Sequence, residues 1–424
     1  MPATTRSRLG RVLVPGTAVP TRAGDRTTPF EIFFDLVFVF ALTRVVALVE
    51  AAPGAAALGR GLVLLLMLWW SWCAFIWLGN QVRLDRGFVR VGMLVTMAAL
   101  FVIGLVVPEA WVARPGGVAP AVVLAIAFTV VRACYVVLLV AVAWRRRRLR
   151  TQILLDLVPQ SLSIGLLFAG ALLGGGWQTA LWASAFVVDF GGGRSASRYR
   201  GWRVGSAGHL AERHDLVLII ALGETVLATG ARVDPWTSDP AALGVVLLGF
   251  LLTVSLWWAF FGRLSGEAAR ALESSDHSRR SALARDGYTF GHLPIVGGVV
   301  LVALGVALLL DDVAGAPGAP ADGFAVAVLA GGVVSFLLGL ETFRWVLLGR
   351  WRPESAVAAA LVLATAAASP WLAAWTVAAA VAGIVTVAAA VVGGAPPRTK
   401  RGGAPAPSAG RDQRVAQGRR QLSP

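Results

Sequence analysis

Several ionisable side chains of this sequence lie inside long apolar segments. A charge at the middle of a lipid bilayer costs about 2.5–3.5 kcal/mol, so groups in such positions are usually paired or functional. Carboxylates there can bind a cation or relay protons, and arginine or histidine can supply the counter-charge. The candidate residues of an ion-, proton- or substrate-binding site are Glu31, Asp35 and Arg44 in the first apolar segment, and Glu212, Arg213, His214, Asp215 and Glu224 in a later one.

The acidic residues near the start of these two segments form two pairs. Glu31 and Asp35 are four residues apart, and Glu212 and Asp215 are three residues apart. Since residues at these spacings are neighbours on a helix surface, each pair shares one face. In one interpretation, the carboxylates complement the helix dipole and cap free N–H groups. In the other, they are two symmetric acidic clusters at an inner vestibule, where they bind a cation or relay protons. The sequence leaves both interpretations open.

Arg44 and Glu224 lie deeper in the same two segments. Each is about fifteen residues into its helix, roughly 22 Å at the helical rise, and the two carry opposite charges. If the two helices face each other, Arg44 and Glu224 are expected to form a buried ion pair. Such a pair is either structural or part of a gate or binding site.

Other chemistry is weakly represented in the sequence. The four histidines have no spacing typical of a haem or zinc site, and Cys73 and Cys134 both lie in apolar segments. No phosphate-binding loop and no nucleophile with a partner base is recognisable, so we expect no cofactor, no metal and no enzymatic activity. The tryptophans are expected to be packing and interface residues, with an aromatic-lined substrate pocket as the alternative. They include Trp69, Trp70, Trp72, Trp77, Trp257 and Trp258.

The composition indicates that lipid surrounds most of the chain. Of the 424 residues, 57% are hydrophobic and 14% are charged, which is too apolar for the surface of a soluble domain. The apolar residues occur in blocks of about 20, the length that crosses a hydrocarbon core of about 30 Å. We predict an all-α, polytopic helical membrane protein with about 12 transmembrane helices. The predicted spans are 29–50, 57–79, 88–108, 119–144, 150–173, 177–190, 209–230, 240–262, 287–310, 323–347, 353–369 and 371–392.

The basic residues alternate between the two sides of these spans. The predicted outside loops contain only Arg60, Arg114 and Arg232, whereas most of the 38 Lys and Arg residues lie in the inside loops and the two tails. By the positive-inside rule, this predicts a plasma-membrane protein with both termini in the cytoplasm. The placement also accounts for the net charge of +15 without nucleic acid. The basic tails are expected to contact anionic lipid headgroups at the cytoplasmic face.

Part of the first half of the chain recurs in the second half. The segment Asp35–Leu42 matches Asp215–Leu222, with Asp-Leu-Val and Ala-Leu in common, and Leu68–Trp72 matches Leu256–Phe260. Six predicted crossings separate the copies, so we predict two parallel six-helix repeats, an arrangement known from transporters. The predicted domains are a basic N-terminal tail (1–28), a first repeat (29–190), a cytoplasmic linker (191–208), a second repeat (209–392) and a disordered C-terminal tail (393–424).

Three segments of the chain carry a family resemblance. They are Pro29–Ala41, Trp77–Asn80 with Arg83, and Glu212–Glu224, of which the last is the most specific. Together they resemble the signatures of the bacterial low temperature requirement protein A (LtrA) family, over about residues 25 to 392. Where the family commonly has glycine after Glu-Arg-His, this chain has Asp215. The resemblance implies a multi-span plasma-membrane protein named for a cold-growth phenotype, and it implies no established substrate or reaction.

Two functions agree with these features. The parallel duplication and the charges at membrane depth favour a secondary transporter or an ion-conducting protein that moves a small ion or solute. Such a protein is expected to have a water-accessible cavity between its halves that reaches Asp35, Asp215 and Glu224. The alternative is a non-transporting membrane protein that supports envelope function or cold growth through contacts with lipids or other proteins.

Reporter fusions test the predicted topology. Residues 150 and 350 lie in predicted inside loops that are rich in arginine, so both are expected to be cytoplasmic. A reporter protein fused after residue 150 or after residue 350 should therefore report a cytoplasmic location. A periplasmic signal from either fusion would contradict both the topology and the parallel repeat.

Overall fold

The chain folds into a bundle of helices. The structure is a computed structural model that describes residues 19–393, apart from residues 23, 114–115, 144–146, 201–203, 233–238 and 317. These described residues form helices and two isolated β-bridges, Pro20 with Val82 and Pro320 with Ala373. The predicted all-α class is therefore confirmed. Most of the predicted N-terminal tail and the predicted disordered C-terminal tail lie outside the described residues.

Fourteen α-helices are present among the described residues. A π-helical segment, Ala284–Gly291, joins the tenth α-helix to the eleventh. The helices of the first half are α1 (Pro29–Glu50), α2 (Ala55–Gly79), α3 (Gly87–Val106), α4 (Pro120–Ala143), α5 (Arg147–Leu173) and α6 (Gly175–Arg200). Those of the second half are α7 (Ala207–Gly230), α8 (Pro240–Phe261), α9 (Leu264–Ser274), α10 (His277–Leu283), α11 (His292–Gly315), α12 (Gly323–Leu348), α13 (Pro353–Ala368) and α14 (Ala374–Gly393).

Each of the twelve predicted spans coincides with a helix, but the number of crossings is not confirmed. Within the described part of the chain, nine helical segments are long and apolar enough to cross a membrane. The helices α5, α6 and α7 are not among the nine. In α7, the reason is the group of charged residues that first suggested a functional site, because charges lower the apolar character of a helix even where other side chains neutralise them.

The predicted linker at 191–208 begins too early. Helix α6 continues without interruption through Gly191, Gly192 and Gly193 and ends at Arg200. Glycine usually weakens a helix, and the sequence therefore favoured a loop. A Cβ atom on Gly192 would lie 2.4 Å from Pro159, and one on Gly193 would lie 2.7 Å from Trp70. The glycines thus permit a close approach of α6 to α5 and α2.

The predicted loop between the eighth and ninth spans is also wrong, because it contains α9, α10 and the start of the π-helical segment. The short helix α9 buries Leu264, Ala268 and Leu272, which are four residues apart and share one face. The side chain of Asp276 accepts a hydrogen bond from the backbone N–H of Arg279 and caps α10. These elements bring residues 281–292 back against the first half of the chain.

Helices α1 and α7 lie side by side and run in the same direction. At their N-terminal ends, the backbone N–H of Thr27 donates a hydrogen bond to Glu212 (3.0 Å). At their C-terminal ends, Nη2 of Arg232 lies 2.6 Å from Oε1 of Glu50. We call these two levels of the bundle the Glu31 end and the Glu50 end.

The two halves bury their helices in the same order. In the first half, α1 packs on α2 and α3, α4 on α3 and α5, and α6 on α5 and α2. In the second half, α7 packs on α8 and α11, α12 on α11 and α13, and α14 on α13 and α8. Apart from the short helices α9 and α10, the packing order of α11 to α14 is the same as that of α3 to α6.

The pair formed by α11 and α12 depends on a close backbone approach that can be tested. A Cβ atom on Gly332 would lie 2.7 Å from the backbone nitrogen of Val302, whereas Gly331 has open space around it. Overpacking of this kind costs about 1–3 kcal/mol, so Gly332→Ala should lower the thermal unfolding temperature of the purified protein in detergent. The control Gly331→Ala should leave the unfolding temperature unchanged or raise it, since alanine favours helix. Equal unfolding temperatures for the two variants would contradict this account of the packing.

Candidate functional site

The charged residues at the Glu31 end form a buried network between α1 and α7. Glu31 and Asp35 come from α1, and His209 and Arg213 come from α7; we call these four residues the Arg213 network. Arg213 donates from Nε to Asp35 Oδ2 (3.0 Å), from Nη2 to Asp35 Oδ1 (2.6 Å) and from Nη1 to Glu31 Oε1 (3.2 Å). The side chains of Asp35 and Arg213 are 0% exposed. A fully buried guanidinium is thus held by two carboxylates of the neighbouring helix.

Further hydrogen bonds fix both carboxylates. The indole of Trp72, on α2, donates to Asp35 Oδ1 (2.8 Å). Glu31 caps its own helix, because its Oε2 accepts from the backbone N–H of Thr28 (2.9 Å) while Thr28 Oγ1 accepts from the N–H of Glu31 (3.3 Å). The capping interpretation therefore holds for Glu31, but Glu31 also faces Arg213.

The Arg213 network contains more acidic groups than permanently charged bases. Two carboxylates face one guanidinium, and the remaining member, His209, places Nε2 3.0 Å from Glu31 Oε1. Burial of charge without partners is costly. The N-terminus of α1, which Glu31 caps, and the indole of Trp72 are further favourable partners of the two carboxylates. The network thus concentrates charged groups of both signs in a buried position.

The two members of the other predicted acidic pair, Glu212 and Asp215, have different hydrogen-bond partners. Glu212 accepts the backbone N–H of Thr27, and Asp215 Oδ2 accepts the hydroxyl of Ser265 (2.7 Å), on α9. Neither carboxylate joins the Arg213 network or mirrors Glu31 and Asp35. The predicted symmetric acidic clusters are therefore not formed, because the second half contributes His209 and Arg213 to this site.

Two histidines lie in a buried aromatic cluster beside the network. His214 donates from Nδ1 to the backbone carbonyl of Leu210 (2.8 Å), and its ring centroid lies 5.0 Å from those of Trp72 and His292. The ring of Tyr288 stacks on His292 at 5.3 Å. Nε2 of His214 and both ring nitrogens of His292 are buried and make no hydrogen bond of normal geometry. Sequence spacing gave no signal for this cluster, because its members come from distant segments.

A cavity of about 190 Å³ lies between α1, α7 and α11 toward the Glu50 end. We call it the Arg44 cavity; the charged residues that line it are Arg44, Glu50, Glu224 and Arg232. Arg232 pairs with Glu50. No ion pair joins Arg44 to Glu224, so the predicted pair is wrong, although both residues are half-buried and border the same space.

The Arg44 cavity ends above the Arg213 network. Its deepest residue on α1 is Val39, four residues after Asp35, which is about 6 Å along the helix axis. Phe38 and Val217 lie between the cavity floor and the Arg213 network, and both are fully buried. The expected cavity that reaches all three carboxylates is therefore not formed, because this cavity reaches Glu224 but neither Asp35 nor Asp215.

Comparison with known proteins assigns the chain to a family. The sequence profile of the bacterial low temperature requirement A protein (LtrA) matches residues 26–390. The chain belongs to the LtrA family. It is also 30% identical over 289 residues to an uncharacterized protein of Rhizobium meliloti (strain 1021), which covers 65% of this chain and 67% of that protein. No solved structure matches the chain. Family membership and the apolar helices together identify a bacterial membrane protein.

The three segments that resemble LtrA signatures meet at the Glu31 end. The second segment positions the start of α7: Asn80 donates from Nδ2 to the carbonyl of Ser206 (2.7 Å) and accepts the N–H of Gly205 (2.6 Å). Ser206 in turn caps α7 by accepting the N–H of His209. Outside the spans, the hydrogen bonds that Arg83 donates to Asp85 raise the pKa of the Arg83 guanidinium. These three segments thus help to assemble and orient the Arg213 network.

The Arg213 network predicts a large and specific loss of stability. Arg213→Gln leaves two buried carboxylates without their cation, which should cost about 3–5 kcal/mol and lower the thermal unfolding temperature in detergent strongly. The double variant Asp35→Asn/Arg213→Gln removes one charge of each sign and should recover part of that loss. Arg86→Gln is the control, because the Arg86 side chain is 58% exposed at the same end. If Arg213→Gln unfolds at the same temperature as Arg86→Gln, the network does not hold α1 and α7 together.

Proposed function

We propose that this LtrA protein is a secondary transporter or an ion-conducting protein of the plasma membrane, and that its pathway runs between α1 and α7. The observation that carries the proposal is the relation between the Arg44 cavity and the Arg213 network. One end of the α1–α7 contact holds a cavity with charged walls, and the other end is closed by buried charges. A pathway that opens to one side at a time requires such a difference between its ends.

We propose further that the pathway lies on the axis of two parallel six-helix repeats. Two observations support this arrangement. Helices α1 and α7 run in parallel, as equivalent helices of a parallel repeat must, and the order of helix packing is the same in both halves. In known transporters, the interface between such repeats holds the substrate site. The distribution of arginines favours cytoplasmic termini, which makes the Glu50 end periplasmic.

The proposal gives the cavity residues distinct roles. Glu224 is the carboxylate that binds a cation or a proton, and Arg44 is the counter-charge on the facing helix. Both remain available to a solute because no ion pair joins them. The Arg213 network closes the cytoplasmic end, and a proton bound by one of its two carboxylates would couple closure to proton binding. A change in that proton alters the net charge that α1 and α7 bury between them.

The alternative function is a non-transporting membrane protein that supports envelope function or cold growth. The observation that favours it is the complete burial of Asp35 and Arg213, which is also what a purely structural ion pair would show. The two functions differ at Glu224, because a structural network at the Glu31 end does not require a carboxylate in the Arg44 cavity.

Flux measurements in proteoliposomes test the transport proposal. The purified protein should move at least one ion or small solute of a broad panel, including protons, faster than empty vesicles do. Glu224→Gln removes the proposed binding charge, and the flux should fall at least tenfold while the thermal unfolding temperature stays near that of the wild type.

The matched control is Glu273→Gln, which removes an exposed carboxylate that does not line the Arg44 cavity and should leave the flux unchanged. Flux equal to that of empty vesicles for every solute would remove the transport proposal. Full activity of Glu224→Gln in flux would instead remove Glu224 from the pathway. A strain that lacks the protein can also be tested for growth in the cold. If Glu224→Gln restores its growth as fully as the wild-type protein does, the alternative function is favoured.

A further inference from the structure

A second cavity lies at the Glu31 end, away from the α1–α7 contact. It has a volume of about 90 Å³ and is enclosed by α2, α4, α5 and α6 on one side and by the segment 281–290 on the other. We call it the Arg285 cavity. Its charged lining residues are Arg132, Asp189, Arg194 and Arg285. Because both halves of the chain contribute to its walls, it is an interface between them.

The charges of this cavity favour an anion. Three guanidinium groups and one carboxylate line it. The carboxylate, Asp189, forms a buried ion pair with Arg132. Asp286, which bonds to Arg285 (2.8 and 2.7 Å) and lies 4.0 Å from Arg194, is not part of the lining. The surface that faces the cavity therefore has an excess of positive charge.

The remaining walls favour an apolar group. Trp70, Trp77, Tyr135 and Phe290 line the cavity together with Pro159, Cys73 and Ala74. The Arg194 guanidinium lies 4.9 Å from the ring centroid of Phe290, where cation and ring attract each other. Trp257 and Trp258, which the repeat relates to Trp69 and Trp70, are 41% and 46% exposed and lie on the surface. Trp257 and Trp258 are therefore not walls of an equivalent cavity.

We propose that the Arg285 cavity binds an amphiphilic anion, a molecule in which a phosphate or carboxylate group is attached to an apolar body. The guanidinium groups of Arg285 and Arg194 bind the anionic group near the mouth, since arginine pairs well with planar or tetrahedral anions. The aromatic side chains that line the cavity contact the apolar body of the ligand. The anion is supplied either by a membrane lipid or by a soluble organic acid or phosphate.

The cavity wall includes an unusual element. Thr289 and Phe290 belong to the π-helical segment, and π-helical turns are frequent at functional sites. The indoles of Trp69 and Trp77 donate to the backbone carbonyl (3.0 Å) and the hydroxyl (2.9 Å) of Thr289. The segment is thereby held against α2, with its Arg285 side chain at the cavity.

Binding of phenyl phosphate to the full-length protein in dodecyl maltoside tests the proposal, because this detergent has no phosphate. We expect saturable binding in a calorimetric titration. Arg285→Gln should bind about tenfold more weakly, equivalent to 1.4 kcal/mol. Arg86→Gln, an exposed arginine outside the cavity, should bind as the wild type does. Absence of saturable binding, or equal affinity of Arg285→Gln and wild type, would overturn the proposal.

Asp189→Asn separates binding from a structural effect. This change removes the carboxylate that pairs with Arg132. The protein should therefore be less stable, and it should bind phenyl phosphate about tenfold more tightly. Phenyl phosphate should also raise the unfolding temperature of Asp189→Asn more than that of the wild type. Weaker binding by a folded Asp189→Asn would contradict an anion site in this cavity, because removal of a negative charge from its lining should favour an anion.

Mixed micelles distinguish the two sources of the anion. If a membrane lipid is the ligand, dioleoyl phosphatidylglycerol should displace phenyl phosphate from the wild type, whereas dioleoylglycerol, which has no phosphate, should not. If a soluble anion is the ligand, neither lipid should displace it. Displacement by dioleoylglycerol would overturn the proposal, because it would show an apolar site without a need for the anion.

Discussion

The fold depends on the burial of one guanidinium group between two parallel helices. Arg213 has no access to solvent, and a buried cation without partners is far more costly than one that is fully hydrogen-bonded. Glu31 and Asp35 supply those partners only when α1 and α7 lie side by side in one register. This requirement fixes the centre of the bundle. The remaining helices of each half then pack around α1 or α7 in the same order.

The network is not symmetric between the two halves of the chain. With the offset that aligns Asp35 to Asp215, Glu31 corresponds to Ala211, and Arg213 corresponds to Phe33. The first half therefore provides the acids of the network, and the second half provides the bases. Asp215, which aligns with Asp35 at this offset, accepts a hydrogen bond from Ser265 instead. The two halves thus contribute opposite charges where α1 and α7 meet.

The helical architecture could be predicted from sequence because hydrophobic blocks report on lipid directly, and each predicted span coincides with a helix. The partners of the charged residues could not be predicted from sequence. Helical spacing relates side chains on one helix and gives no information about the neighbouring helix. Spacing therefore paired Glu212 with Asp215, whereas the fold pairs Arg213 with Asp35. The same reasoning does identify Glu341 and Arg344, which form an ion pair within α12. The continuation of α6 through three glycines was missed because the contacts that explain two of them, Gly192 with Pro159 and Gly193 with Trp70, join different helices.

The two cavities and the buried network are connected by direct contacts. Asp35 accepts the indole N–H of Trp72, the ring of Trp72 stacks on Trp69 at 4.9 Å, and Trp69 donates to Thr289 at the wall of the Arg285 cavity. On the other side, only about one helical turn separates Asp35 from the floor of the Arg44 cavity. A protonation change at the network therefore acts on side chains that touch both regions. Close-packed interiors transmit small displacements because they contain little free space. Under the proposed function, a solute in the Arg44 cavity and an anion in the Arg285 cavity would influence each other through the charge that Arg213 neutralises.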